Sequence, residues 1–362
     1  MIRRCCRRST GVRGYGLIEM LIATAIGCVL LGVLLQLAIS AHKSSGVQSE
    51  RSDLQQRLRV AFETMRHDIM LAGAGPSRGP DGGPLANVFP PILPARRGIT
   101  GADPELAFWS DRISVMYVPL DSAQTRLALD MPTSASPIAI DANAPGCRPA
   151  SACGFVAGSD VLVYEPAGAG GPHEVFTVSS VDTATNTVIP TAALSRAYSD
   201  RARIAVVVQR TYYLDRPGKR LMVYDGARSD VPLVDHVVDL RFTYYADPRA
   251  DAVAPPAPGN FNCVYAGSPA VSLLANLGGT GPKVLTAALL TDGPVCGQSP
   301  YRFDADLLRI RRVSVTIRAE AESAEFRGRG GGFATAGISR GGVALVPDLE
   351  ATIDVMPRNM GW

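Results

Sequence analysis

From Met20 to Ala41 the chain runs 22 residues without a charged side chain, and only Thr24, Gln36 and Ser40 are polar. An α-helix rises about 1.5 Å per residue, so a run of this length spans the roughly 30 Å hydrocarbon layer of a bilayer. Ahead of it, residues 1–14 carry Arg3, Arg4, Arg7, Arg8 and Arg13 and no acid. That asymmetry predicts a cytoplasmic N-terminus and an exported C-terminal bulk. A cleaved secretory signal would need an apolar core of only about 7–15 residues before a small-residue site such as Ala38-Ile39-Ser40, and this core is too long for one. A plain anchor fits the length but leaves Glu19 unexplained. A carboxylate at the edge of an apolar span is costly, by about 2.5–3.5 kcal/mol at the span centre on insertion scales, and marks a functional position.

The segment Arg13-Gly14-Tyr15-Gly16-Leu17-Ile18-Glu19 resembles the type IV prepilin signature. In that family a short basic leader ends in Gly, an aromatic residue follows, and Glu is fifth in the mature chain. The resemblance implies cleavage by prepilin peptidase between Gly14 and Tyr15 and N-methylation of the new Tyr15 amine. It also implies a role for Glu19 in neutralising the N-terminal amine of a neighbouring subunit, since two charges expensive in an apolar setting become tolerable as a pair. Tyr15 stands where Phe is commoner, Gly16 where Thr or Ser is, and Gln36 where major pilins often carry a helix-kinking proline. The last difference points to a minor subunit. Removal of residues 1–14 would leave 31 basic against 33 acidic residues, turning the formal charge from +3 to −2. The basicity belongs to the leader and gives no argument for nucleic acid as a partner.

Beyond Ala41 the pattern turns amphipathic. Leu54, Leu58, Ala61, Phe62, Met65, Ile69 and Ala72 recur at helical spacing, predicting a continuation of the same helix that packs on a sheet. Arg51, Asp53, Arg57, Arg59, Glu63, Arg66 and Asp68 fall on the other face, toward solvent or neighbours. Gly73 and Gly75-Pro76 are stop signals. Strands are expected at 113–118, 160–164, 174–181, 204–214, 220–224, 237–245, 308–318 and 351–356. In the run from Arg311 to Arg318, Val313, Val315 and Ile317 share one face, as in a half-buried strand. Residues 54–73 resemble PilW-type minor pilins, and the runs Thr211–Leu214, Leu233–Leu240 and Phe242–Asp247 resemble the head of PilW-type minor pilins and of J-type pseudopilins. The expected class is therefore α+β and pilin-like: a long N-terminal helix packed on an antiparallel β-sheet head with long loops. The boundaries are a leader at 1–14, a membrane or filament-core helix at 15–41, its amphipathic continuation at 42–72, and an exported head at 73–362. Residues 248–300, with eight prolines and seven glycines, read as an inserted surface excursion.

Cys147, Cys153, Cys263 and Cys296 fall in the exported head, an even number in an oxidising space. Three connectivities exist. Cys147 with Cys153 and Cys263 with Cys296 is favoured, because each pair brackets one loop, and the second would close the 248–300 excursion. Cys28 lies in the apolar helix and reads as a small packed apolar residue. No CxxC or Cys/His spacing suggests a metal, and His42, His67, His173 and His236 form no hydrolase motif. There is no GxSxG. The glycine-rich run 327–332 lacks the Gly-Lys-Ser/Thr of a phosphate loop, and Asp235 and Asp239 read as solvated strand positions. No cofactor and no enzymatic activity are expected.

The function these readings imply is that of a minor pilin assisting initiation or tip formation of a type IV pilus-like filament at the inner membrane. Its partners would be prepilin peptidase, other pilins or pseudopilins, an inner-membrane assembly platform and the lipid bilayer. The alternatives are a J-type minor pseudopilin of a type II secretion system, or a tip module for adhesion or DNA uptake. The last would use Arg309, Arg311, Arg312 and Arg318 as a basic patch, although such arginines more often form a solvated face.

Overall fold

The computed structural model describes residues 16–77, 83–145, 147, 151–256, 262–324, 326–327 and 346–360. One helix, α1, runs over Leu17–Leu71, and the chain divides into two compact units between Asp53 and Leu54. In the N-terminal unit the apolar stretch has the hydropathy and length of a membrane span, and none of its most apolar 18-residue window is buried. Its hydroxyls are satisfied within the helix. Thr24 Oγ1 donates to the carbonyls of Met20 and Leu21 at 3.0 and 2.9 Å, and Ser40 Oγ to that of Leu37 at 2.9 Å. Such back-bonding removes the need for outside partners in an apolar medium.

In the second unit Leu54, Leu58, Ala61, Met65, Ile69 and Ala72 are all buried, one face of α1 at the spacing the sequence shows. Burying the four large side chains among them contributes roughly 6–12 kcal/mol before conformational entropy is counted. The helix stops because Gly73 takes φ +83°, the left-handed cap that a Cβ disfavours. A Cβ at Gly73 would also stand 2.9 Å from the Asn359 carbonyl oxygen. The last helical carbonyls are met by the distant C-terminal segment. The Arg358 N–H donates to the Met70 carbonyl at 3.2 Å, and Asn359 Nδ2 donates to Leu71 at 3.3 Å.

Asp68 is corrected by the structure. It lies on the buried side, 7% exposed, and its carboxylate accepts hydrogen bonds from Tyr117 Oη at 3.1 Å and Tyr212 Oη at 2.6 Å. At this last turn the sheet reaches around the helix, so the packed stripe is wider than the apolar residues alone mark. The two phenols make burial of the carboxylate tolerable.

Tyr117 and Tyr212 belong to a five-stranded antiparallel sheet in the order Ile92–Leu93, Arg112–Tyr117, Val208–Asp215, Arg220–Tyr224 and Asp230–Asp235. A second antiparallel sheet orders Lys283–Val284, Val237–Ala246, Ile310–Ala319 and Leu349–Val355. The unit is thus an α+β arrangement of helix and antiparallel sheet.

Between the paired strands Arg112–Tyr117 and Val208–Asp215 the chain leaves the central sheet and builds a third one. Its order is Gln124–Arg126, Arg203–Val206, Asp160–Tyr164, His173–Asp182, Thr187–Pro190 and Ile138–Ala139. The two outer strands meet through a Leu127–Ile140 bridge, with Ala128 N–H to Ala139 O and Asp141 N–H to Arg126 O both at 2.9 Å. The sheet therefore closes into a six-stranded barrel, which leaves no free edge. Leu127, Ile138, Val161, Val163, Val188 and Ile204 form part of its own buried core. The expected single strand 204–214 is two strands in two different sheets. It breaks at Val207, whose N–H donates to Asp160 O at 3.0 Å. The apolar run from Ile204 to Val208 continues through the break, so the residue pattern alone does not reveal a change of partner.

The expected strand 308–318 begins instead with a short 3-10 helix at Ala305–Arg309, capped by the Asp304 side chain accepting from the Asp306 N–H. In the strand after it one face is fully buried and the other partly, with Ser314 and Arg318 buried and Arg312 and Thr316 intermediate. Val313, Val315 and Ile317 fill one side. On the other, Ser314 bonds Asp354, Thr316 bonds Thr352 at 2.9 Å, and Arg312 stacks over Tyr245 at 3.8 Å. These cross-strand partners cover part of a face that looks solvated in sequence.

Candidate functional site

Gly14 and Tyr15 lie outside the described residues. Glu19 is in the first turn of α1, and its Oε2 accepts from the Gly16 N–H at 3.0 Å. A helix start leaves N–H groups without intrahelical partners and carries partial positive charge, so a carboxylate there is stabilised in two ways. From Leu17 to Ile39 the large apolar side chains are exposed by half or more, Leu17 by 80% and Leu35 by 62%. Cys28 is free and also exposed. An apolar surface of this extent needs lipid or other helices to cover it.

In the second unit Cys147 is bonded to Cys153 and Cys263 to Cys296. Cys153 belongs to the barrel core, so the first bridge fastens a loop onto that core. The second joins two points in residues 248–300, whose short paired segments include Tyr265–Ala266 with Val271–Ser272. Among the described residues no group of three or more His, Cys, Asp or Glu side chains is placed to hold a metal ion.

Three of the four arginines of the suggested basic patch are buried, which corrects both readings of it. Arg309 and Arg318 are 0% exposed and Arg311 is 9% exposed. Arg309 pairs with Asp306 and donates to the Ala275 carbonyl at 2.8 Å. Arg311 donates to the carbonyls of Ile310 at 2.9 Å and Ala252 at 3.2 Å. Arg318 lies 3.6 Å from Asp348, both fully buried. Arg309 and Arg311 therefore hold the irregular backbone of residues 248–300 by supplying donors to carbonyls that no sheet satisfies. Asp239 is likewise buried beside Arg241, whereas Asp235 is exposed.

A cavity of about 160 Å³ opens where the central sheet, the barrel and residues 300–303 meet. Ser114, Val115, Met116 and Gln209 line it from the central sheet, His173 and Val175 from the barrel. His173 stacks on Phe89 with ring centroids 4.1 Å apart. Burial pushes its imidazole down to about 4, against a weaker opposing effect of the Nδ1 contact with the Gly171 carbonyl. Arg97 also lines the cavity, and burial lowers its pKa. Neither Arg97 nor Gln209 carries a sequence motif, and only the meeting of three distant segments brings them together. No family model, no curated protein and no solved structure matches this chain.

Proposed function

We propose that the protein is a minor pilin of a type IV pilus-like filament, a non-enzymatic subunit that assists filament initiation or forms part of the tip. The observation that supports this reading is the division of labour along α1. Its amphipathic part buries one face on an antiparallel sheet, while its uncharged part leaves every large apolar side chain uncovered behind Glu19. Such a helix suits a subunit that waits in a bilayer and then packs among like helices, where Glu19 meets the amine of a neighbour. Gln36 in place of a kinking proline favours a minor subunit. The burial of Arg309, Arg311 and Arg318 favours protein partners over nucleic acid.

The decisive measurement is the N-terminal sequence and mass of the mature protein recovered from membranes. A chain beginning at Tyr15 with a methylated amine is expected, and Gly14→Ala should retain residues 1–14. A mature chain that keeps the leader, or that starts after Ser40, would refute the proposal. Glu19→Ala should leave membrane insertion intact and impair filament initiation.

A further inference from the structure

The cavity beside Arg97 contains two hydrogen-bond donors that the protein does not use. Gln209 is 93% buried, since only 7% of it is exposed, and its Nε2 has no hydrogen-bond partner. Arg97 Nε is buried and equally unpartnered, and no ion pair to the Arg97 guanidinium occurs among the described residues. Buried polar groups are almost always satisfied; Arg97 as a whole is only partly buried, and the charges of Glu105 and Asp103 act on it. Two such donors lining one cavity are therefore an unfilled demand for an acceptor, and a charged acceptor forms the stronger bond to a guanidinium.

The backbone around Arg97 is fixed in place. Its N–H donates to Ser114 Oγ at 3.0 Å, and the neighbouring Ile99 N–H donates to the Gly226 carbonyl at 2.6 Å. Gly98 takes φ +143°, and a Cβ there would stand 2.3 Å from Gly226 O. This is a close approach of two backbones that only glycine permits. Asp225 and Asp160 also face the cavity, each with one carboxylate oxygen engaged. Asp225 Oδ1 accepts from the N–H groups of Ala227, Arg228 and Ser229 at 2.8–2.9 Å. Asp160 Oδ1 accepts from Thr177 Oγ1 at 2.8 Å, and Arg302 lies 4.0 Å from Glu105. Ser114, His173 and Tyr301 add polar atoms to the lining, and Phe89, Leu93, Ile99, Val115, Val175 and Phe303 form its apolar wall.

We propose that this cavity binds a small aromatic carboxylate, its ring among Phe89, Val115, Val175 and Phe303 and its carboxylate taken by Arg97 and Gln209. The volume fits, because apolar cavities of about 150 Å³ take up benzene. A carboxylate offers acceptor oxygens to these donors, and its bond to a guanidinium is charge-assisted. The same chemistry is offered by a free aryl acid and by a chain ending in phenylalanine. The site stands independently of the filament proposal, because none of its residues lies on the apolar part of α1.

The test is calorimetric titration of the full-length chain in lipid nanodiscs, against empty nanodiscs, with four probes. These are phenylacetate, phenylacetamide, Gly-Gly-Phe with a free C-terminus and the same peptide amidated. Binding of at least one acid, tenfold or more tighter than its amide, is expected. Preference for phenylacetate identifies a free acid as the natural form, and preference for the peptide identifies a chain end. Arg97→Met should weaken the acid at least tenfold and leave the amide little changed. Gln209→Met should weaken the acid while leaving the thermal midpoint unchanged or higher, because it removes a buried donor that has no partner. Equal affinity for acid and amide, no heat at millimolar acid, or undiminished acid binding by Arg97→Met would each overturn the assignment. The acid-against-amide comparison on the parent chain decides the matter even where a variant fails to fold.

Discussion

Replacing Asp68 by alanine removes the single acceptor of two buried phenols and so tests how the helix is held on the sheet. Tyr117 and Tyr212 donate to its two oxygens at 3.1 and 2.6 Å, from strands that pair with each other in the central sheet. A hydrogen bond to a charged acceptor is worth about 1.5–3 kcal/mol. Release of the buried carboxylate returns part of that sum, so Asp68→Ala should lose about 3 kcal/mol of unfolding free energy. Asp68→Asn keeps one carbonyl acceptor and should lose about half as much, by the same reasoning. Denaturant unfolding followed by circular dichroism gives these values. A cycle combining Asp68→Ala with Tyr212→Phe should be non-additive by about 1–2 kcal/mol, as expected for groups in direct contact. Loss of less than about 0.5 kcal/mol in Asp68→Ala, the usual range for surface changes, or additivity in the cycle, would refute the tie. The pair also sets an alkaline limit. Burial first, and then the Asp68 charge, raise both phenols well above the ordinary tyrosine value. Protons that the folded state holds more tightly favour it below the unfolded value, near 10. That contribution is lost as pH rises from there through the folded values, so stability should fall progressively above about pH 10.

The His173 imidazole is pushed down to about 4, so the unfolded chain takes up a proton near pH 6.5 that the folded chain resists. Stability from this group is present above about 6.5 and is lost as pH falls toward 4. Asp306, pushed up to about 6 by burial, acts in the opposite sense over the same window, so the comparison is between His173→Phe and its parent at pH 7 and 4.5. The variant should lose less stability on acidification, and an identical loss would refute the assignment. Breaking Cys263–Cys296, which are 33 residues apart, frees a larger loop than breaking Cys147–Cys153, 6 apart. Chain-entropy reasoning assigns roughly 3.7 and 2.2 kcal/mol to the two. Paired Cys→Ser variants should rank in that order in denaturant unfolding, and intact mass should rise by four hydrogens when the parent is reduced; free thiols at Cys147, Cys153, Cys263 and Cys296 before reduction would refute both bridges.

The helix was legible because its information is local. Leu54, Leu58, Ala61, Met65 and Ile69 recur at a helical period, and Gly73 ends the run whatever it packs against. Strands at Asp160–Tyr164 and Arg220–Tyr224 were legible for the same reason, since alternation and flanking turns are read within a few residues. Asp68 was misplaced because a carboxylate is assigned outward until two phenols from distant strands surround it. Arg309 and Arg311 looked like a charged surface, and their role in holding the carbonyls of residues 248–300 exists only once that excursion folds back over them.

The sequence by itself therefore determined the apolar and amphipathic halves of α1, its stop, and the strand-rich character of the chain beyond Gly73. Only the tertiary structure decided that residues between Tyr117 and Val208 close into a barrel with its own core, through the distant partners Leu127 and Ile140. It alone brought Arg97 and Gln209 to one cavity. Periodicity fixes which side of an element is apolar, but strand partnership and the pairing of buried charges depend on contacts across long stretches of chain, and no local pattern encodes those.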